Sequence, residues 1–251
     1  MKRIIKPYLP LVLSLLLIVG GIGYWPSTAN AAGIAFDTST DQHSGASVTN
    51  WSFSYTVTGA NPILFVSVGT FGGPVVTGIT YNSVALTKIN EVQQSGTSAA
   101  VMSMWVLAGP ATGAHTLAIS QNSSNTSGAE ADVVSYTGAK QTAQPDSSSV
   151  QSFTNATGQT GSTTVVAASS WIVWGTYYTD ASATFVNGMT SRQHSSAEIG
   201  IGIEDSNATV GTGSQSFTQT TNSGTQPQMG IMASFAPAIT VSSNAMFFAG
   251  D

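Results

Sequence analysis

The chain has 251 residues, 41% of them hydrophobic and only 7% charged, with 26 glycines and no cysteine. Beyond the first six residues the only basic side chains are Lys88, Lys140 and Arg192, set against eleven acidic ones, a net charge of −8. Without clustered Lys or Arg the chain is excluded as a binder of nucleic acid or of an anionic membrane surface, and without cysteine it has no disulfide, thiolate or Cys-zinc chemistry.

Residues 1–31 read as an export signal. Lys2, Arg3 and Lys6 form a positive start, Leu9–Ile22 an apolar stretch, and Ala29-Asn30-Ala31 a small-x-small cleavage site. Cleavage there leaves a mature chain from Ala32, secreted or at the cell surface, with no mature membrane span. The alternative is a retained anchor with Tyr24 and Trp25 at the interface.

The rest reads as strands. Trp51, Phe53, Tyr55 and Val57 alternate with Ser and Thr, the period of a half-buried strand. Ile63–Val68 is continuously apolar, a central strand covered on both faces. Val75–Tyr81, Asn82-Ser83 and Val84–Ile89 predict one hairpin. Val101–Leu107 and Thr116–Ile119, joined through Gly109-Pro110 and Gly113, predict another. Further strands follow at Ala131–Tyr136, Val150–Phe153, Val165–Ala168 and Ser169–Tyr178. Within the last, Ile172, Trp174 and Thr176 face one way and Trp171, Val173 and Tyr177 the other. Ile199, Ile201 and Ile203 alternate with polar or small residues, as on an edge strand with one wet face. Ser216–Thr221 and Met229–Phe235 close the run. No segment has a capped helical period. Short strands with frequent turns predict an all-β fold, a two-sheet antiparallel β-sandwich of jelly-roll type over residues 32–238, with a tail at 239–251. No internal repeat stands out.

The order PILFVSVGTF, VTGITYNSVALTKI, MWVLAGPATGAHTLAIS, VVSYTGA and MGIMASFAP resembles that of exported β-sandwich domains from bacterial surface, cell-wall-associated and phage-related proteins. The likeness spans Asn61–Pro237. It departs at Ser83, where Gly is usual, and at Val106, where an aromatic follows the tryptophan. These are turn and core residues, so the resemblance implies a fold, and in some members an accessory module attached to an enzyme or adhesin.

Several residues are candidates for chemistry. Trp51, Trp171, Trp174, Tyr177 and Tyr178 could form a sugar-stacking platform or fill the core. Glu91, Glu130, Asp132, Asp180, Glu198, Glu204 and Asp205 are the carboxylates from which a glycosidase pair would come. Glu130 and Asp132 share a strand face, which is also how an ordinary solvated face reads. Glu204-Asp205-Ser206-Asn207 is oxygen-rich enough for calcium, with Asp37, Asp41 and His43 as a second group, although polar loops with Asx-turns look the same. His43, His115 and His194 lack the G-x-S-x-G context of a hydrolase triad. The reading that follows is a non-catalytic secreted or cell-surface structural or adhesive module. A carbohydrate-binding (lectin-like) module using exposed Trp and Tyr is second, and a polysaccharide-acting hydrolase is third. Partners would be extracellular polysaccharide or other surface proteins, with self-association through residues 239–251, around Met246–Phe248, as a further route.

Overall fold

A computed structural model of the chain describes residues 33–94, 100–124, 127–177, 183–186, 189–195, 200–221 and 226–238. The signal segment, Tyr178, Asp180, Glu198 and the 239–251 tail lie outside the described residues. No helix among the described residues is long and apolar enough to cross a membrane.

The architecture is all-β sandwich, as the pattern predicts, and it is present twice. In the first half an inner sheet has the order β1 (Ala35–His43), β9 (Ala129–Thr137), β3 (Ile63–Thr70), β7 (Val101–Ala108), β6 (Thr87–Gln93). It faces an outer sheet of β2 (Asn50–Val57), β8 (Gly113–Gln121), β4 (Val76–Tyr81), β5 (Val84–Ala85). In the second half the inner sheet is β10 (Ser147–Ala156), β17 (Gln226–Phe235), β12 (Trp171–Tyr177), β15 (Ile201–Asp205), β14 (Thr190–Ser195). Its outer sheet is β11 (Gly158–Val165), β16 (Gly213–Thr221), β13 (Ala183–Val186). Among the described residues these strand pairings are all antiparallel.

The two orders are the same when β1, β9, β3, β7 and β6 are laid on β10, β17, β12, β15 and β14, and β2 and β8 on β11 and β16. Register agrees residue by residue. Val57 pairs with Gly113 and Val165 with Gly213, where both glycines hold a positive φ (103° and 97°) that side chains other than glycine rarely adopt. Ile63 pairs with Tyr136 as Trp171 does with Phe235. A bulge falls between Lys88 and Asn90, and its counterpart between Ser191 and Gln193. An equivalent carboxylate closes each half. Asp37 accepts from the Ser135 hydroxyl at 2.7 Å and the Thr58 N–H at 2.8 Å. Asp146 accepts from the Ser234 hydroxyl and, at 3.2 Å, from the Ala167 N–H. The chain thus contains an internal structural repeat that the sequence reading missed. Few identities survive between the halves, whereas pairing and burial pattern do.

Three buried layers follow. The first outer and inner sheets enclose Tyr55, Val57, Leu64, Val66, Tyr81, Trp105, Leu117, Ile119 and Val133. The two inner sheets face each other across a seam containing Phe65, Met104, Tyr136, Trp171, Tyr177, Ile203 and Phe235. The second half encloses a smaller apolar group, Val165, Ile172, Trp174, Met189, Phe217 and Met232. The stack therefore runs outer, inner, inner, outer.

Several local expectations hold. Ile63–Thr70 is buried throughout, between β9 and β7. Asn82 and Ser83 both take positive φ (49° and 65°), the requirement of a type I′ turn, and Thr80–Tyr81 pairs with Val84–Ala85. The second strand predicted over Val84–Ile89 is divided, however: the hairpin ends at Ala85, and Thr87–Gln93 pairs with β7 in the inner sheet. Two further expectations are corrected. β7 and β8 do not pair as a hairpin: Val101–Ala108 pairs with β3 and β6 in the inner sheet, and Gly113–Gln121 with β2 and β4 in the outer one. The Gly109–Gly113 connection is an arch between sheets, because both strands need partners on two sides and find them in different layers. Ile201–Asp205 is not an edge strand with a wet face. It lies between β12 and β14 and is buried at every position.

Candidate functional site

Charge is scarce in this chain, so buried charge marks where the sequence departs from plain packing. Alternation along β9 sends Ala131 and Val133 into the first sandwich, and Glu130, Asp132 and Val134 into the seam between the inner sheets. Glu130 and Asp132 are 1% and 0% exposed. They form no solvated face and no open cleft between two carboxylates. Glu130 is clamped: the His43 ring nitrogen Nδ1 lies 2.9 Å from Oε1, and the Ser195 hydroxyl donates to Oε2 at 2.7 Å. Asp41, opposite Asp132 in the β1–β9 ladder, accepts from the Gln193 amide at 2.9 Å. Ser39 donates to the Arg192 carbonyl at 2.8 Å. Strand β14 is therefore docked on β1 and β9 through polar contacts.

Asp132 is the exception. Neither of its oxygens has a hydrogen-bond partner of ordinary geometry, although the Ser195 backbone N–H faces it. Burial pushes its carboxyl well above the usual range, and the nearby Asp41 and Glu130 push it further. Ser67, its neighbour on β3, also has a buried hydroxyl without a partner.

The other end of this seam is neutralised. Arg192 grips Asp205 through two bonds, 2.6 and 3.0 Å, and lies 4.5 Å from the Phe36 ring centroid. Burial and the Asp205 charge raise the Tyr136 phenol well above its ordinary value.

A second polar group lies inside the second sandwich. Glu204, fully buried, accepts from the Thr176 hydroxyl at 3.2 and 3.3 Å. Desolvation raises its carboxyl well above the ordinary range, against the Thr176 bond and with Asp132 and Asp205 adding to the rise. Gln159 donates to Gln219 at 2.7 Å, leaving Gln159 Oε1, Gln219 Nε2 and Trp174 Nε1 buried without partners. The equivalent positions in the first half are Trp51 for Gln159, Ile119 for Gln219, Trp105 for Glu204 and Val68 for Thr176. Four apolar positions of one copy are thus polar in the other. The interior leaves no room to spare: a Cβ on Gly230 would lie 2.5 Å from Trp174 Nε1, and one on Gly161 2.7 Å from Met232 Cε.

Trp171, Trp174 and Tyr177 are not part of an exposed stacking platform, and Tyr178 lies outside the described residues. Trp171 and Tyr177 fill the seam and Trp174 the second sandwich, at 7%, 3% and 0% exposure. Trp51 is half-buried, packed against the first core with its ring 5.7 Å from Phe53. Large aromatic faces are what three stacked interiors need, and the strands supply them inward. Nor do Glu204 and Asp205 form one calcium site. Adjacent strand residues point to opposite faces, so Glu204 enters the second sandwich and Asp205 meets Arg192 in the seam. Asp37 is engaged with Ser135 and Thr58, away from Asp41 and His43. Among the described residues no group of three His, Asp or Glu side chains could hold a metal ion. His115 bonds the Thr112 carbonyl at 3.1 Å and packs edge-on against Tyr81. Sequence reasoning found Glu130 and Asp132 on one face. It missed Ser195, Gln193 and Arg192, which only the seam brings to them.

The outward positions of the paired outer strands are rich in hydroxyls. The outward positions of β2 and β8 include Ser52, Ser54, Thr56 and Thr116, and those of β11 and β16 include Thr160, Ser162, Thr164, Ser214, Ser216 and Thr220. Thr160 and Thr218 hydroxyls meet at 3.0 Å. Neither face carries a charged residue at these positions. No family model, curated protein or solved structure matches this chain.

Proposed function

We propose that this is a non-catalytic module of the cell exterior, structural or adhesive, that makes its contacts through the two uncharged outer faces of the stack. The observation that carries the reading is the distribution of chemistry. The rings of Trp105, Tyr136, Trp171, Trp174 and Tyr177 and the carboxylates Glu130, Asp132, Glu204 and Asp205 are inside, while Ser and Thr hydroxyls recur at the outward positions of β2, β8, β11 and β16. Such faces complement uncharged, hydroxylated partners such as extracellular polysaccharide, or the face of another surface protein, through many weak hydrogen bonds. The signal-like segment 1–31 and the resemblance to exported bacterial and phage-associated sandwiches support an outside location.

The test is co-sedimentation of the full chain with insoluble polysaccharides, alongside sedimentation velocity to read self-assembly. Thr160→Asp with Thr218→Asp charges one face, and Ser54→Asp with Thr116→Asp the other. Adhesion or assembly that is lost on charging a face supports the reading. Turnover of any polysaccharide by the wild-type chain, or adhesion indifferent to both pairs, would overturn it.

A further inference from the structure

The two inner sheets are related by the repeat, yet the positions they present to the seam differ in charge. Asp132 on β9 corresponds to Ile231 on β17, and Glu130 to Met229. The β10–β17 side of the seam is apolar at these places, and the β1–β9 side is acidic. It is on that acidic side that β14 docks, through Gln193 on Asp41, Ser195 on Glu130 and the Arg192 carbonyl on Ser39.

We propose that Asp132 is a proton-operated latch between the two sandwiches: protonated it lies neutral beneath β14, and ionised it loosens β14 from β1 and β9. β1 brings Asp41 and His43, and β9 brings Glu130 and Tyr136. β14 brings Arg192 and His194, β15 brings Glu204 and Asp205, and β12 brings Tyr177, while β3 brings the uncharged Ser67. Arg192 is committed to Asp205 by two bonds, and His43 to Glu130. With Arg192 and His43 so engaged, an ionised Asp132 would sit buried beside Asp41 and Glu130, a charge that a low-dielectric interior penalises strongly. Protonation removes that penalty.

The sign follows from linkage. Asp132 is raised in the folded chain by burial first and by Asp41 and Glu130 next. A carboxyl raised on folding contributes stability that is fully present below its unfolded pKa of about 3.9 and is lost as pH rises through the folded value. The latch is closed in acid and opens on alkalinisation.

The experiment is amide hydrogen exchange on the full chain at about pH 5 and about pH 9, corrected for intrinsic rates, in wild type, Asp132→Asn and Glu204→Gln. The wild-type amides of Thr190–Ser195 are expected to lose protection by about tenfold or more at the higher pH while those of β8 hold. Asp132→Asn, a neutral isostere, should keep β14 protected at both, and Glu204→Gln should leave the wild-type loss in place. Parallel behaviour of β14 and β8, an undiminished loss in Asp132→Asn, or its abolition by Glu204→Gln alone would each overturn the proposal. Should Asp132→Asn not fold, carbon-13 titration of the wild-type carboxyls decides: Asp132 still protonated at about pH 5 supports the latch, and Asp132 already ionised there refutes it.

Discussion

Tyr136 and Phe235 occupy the same place in the two halves of the chain, and their rings pack against each other, centroids 5.0 Å apart at 48°. Each lies in the final two residues of the last strand of its sandwich, beside the first residue of its central strand, Ile63 or Trp171. Phe65 lies 5.2 Å from Phe235, and Trp171 5.9 Å from Tyr136, so each of the two equivalent rings also packs on an aromatic ring of the opposite inner sheet. Tyr136→Ala and Phe235→Ala should each cost about 3–5 kcal/mol. The double variant should cost less than the sum by about 0.5–1.5 kcal/mol, read in a double-mutant cycle of urea unfolding. Strict additivity would contradict the contact.

The Asp37 and Asp146 braces predict a matched pair of effects. Each carboxylate ties the start of a sandwich to its last strand, through Ser135 or Ser234, and to the end of its second strand, through the amide of Thr58 or Ala167. Asp37→Ala and Asp146→Ala should each lower stability by about 1.5–3 kcal/mol, the range for hydrogen bonds to a charged group. Because the two sites lie in separate halves, the losses should add within about 0.5 kcal/mol, which chemical denaturation of the single and double variants measures.

Polar substitution inside the second sandwich predicts an asymmetry. Gln159→Leu alone strands the Gln219 Oε1 that it now serves, and Gln219→Leu leaves the Gln159 amide with only the Met229 carbonyl, at 3.3 Å, to donate to. Each single variant should cost about 1–3 kcal/mol. The double variant removes both amides and their unpartnered atoms, and should be near neutral or stabilising, as Trp51 and Ile119 at the equivalent positions illustrate. Thermal melts of the three variants check this; a double loss equal to the sum would sink it.

The aromatic residues make a plain prediction as well. Trp174→Ala should destabilise by about 3–5 kcal/mol, since the ring is fully buried against Met232 and Phe217. Trp51→Ala should cost less, because Trp51 keeps part of its surface in solvent. Tyr177, whose phenol burial pushes up to about 12, should stay un-ionised in an ultraviolet titration through about pH 10, when an exposed tyrosine is half ionised.

Much of the fold was legible in alternation and apolar runs. Trp51–Val57 shows one wet face, and Ile63–Thr70 two dry ones, in sequence as in structure. The opposite faces of Trp171 and Ile172 were likewise readable. Layer assignment was not, because Gly109-Pro110 and Gly113 punctuate an arch between sheets as well as they punctuate a hairpin. The repeat was hidden because strand pairing constrains hydropathy and hydrogen bonding more than identity. Leu117 and Phe217 do the same work with different side chains, and Trp105 and Glu204 share a position with nothing chemical in common. Thr112-Gly113 and Thr212-Gly213, each followed four residues after its glycine by a core residue, were the signal available. The acidic side of the seam was half legible: Glu130 and Asp132 announce a shared face, whereas Ser195 and Gln193 reach them only through the stacking of two sheets far apart in sequence.

A partner that meets the uncharged outer faces, as proposed, leaves a contact footprint on them. Hydrogen exchange of the full chain would be compared free and adhered to the polysaccharide that retains it, or assembled with itself if none does. Protection is expected to concentrate on Asn50–Val57 and Gly113–Gln121, or on Gly158–Val165 and Gly213–Thr221, the strands that carry the Ser and Thr faces. Protection centred instead on the exposed rim of the seam at His43 and Asp41, with both outer sheets unchanged, would rule the proposed faces out.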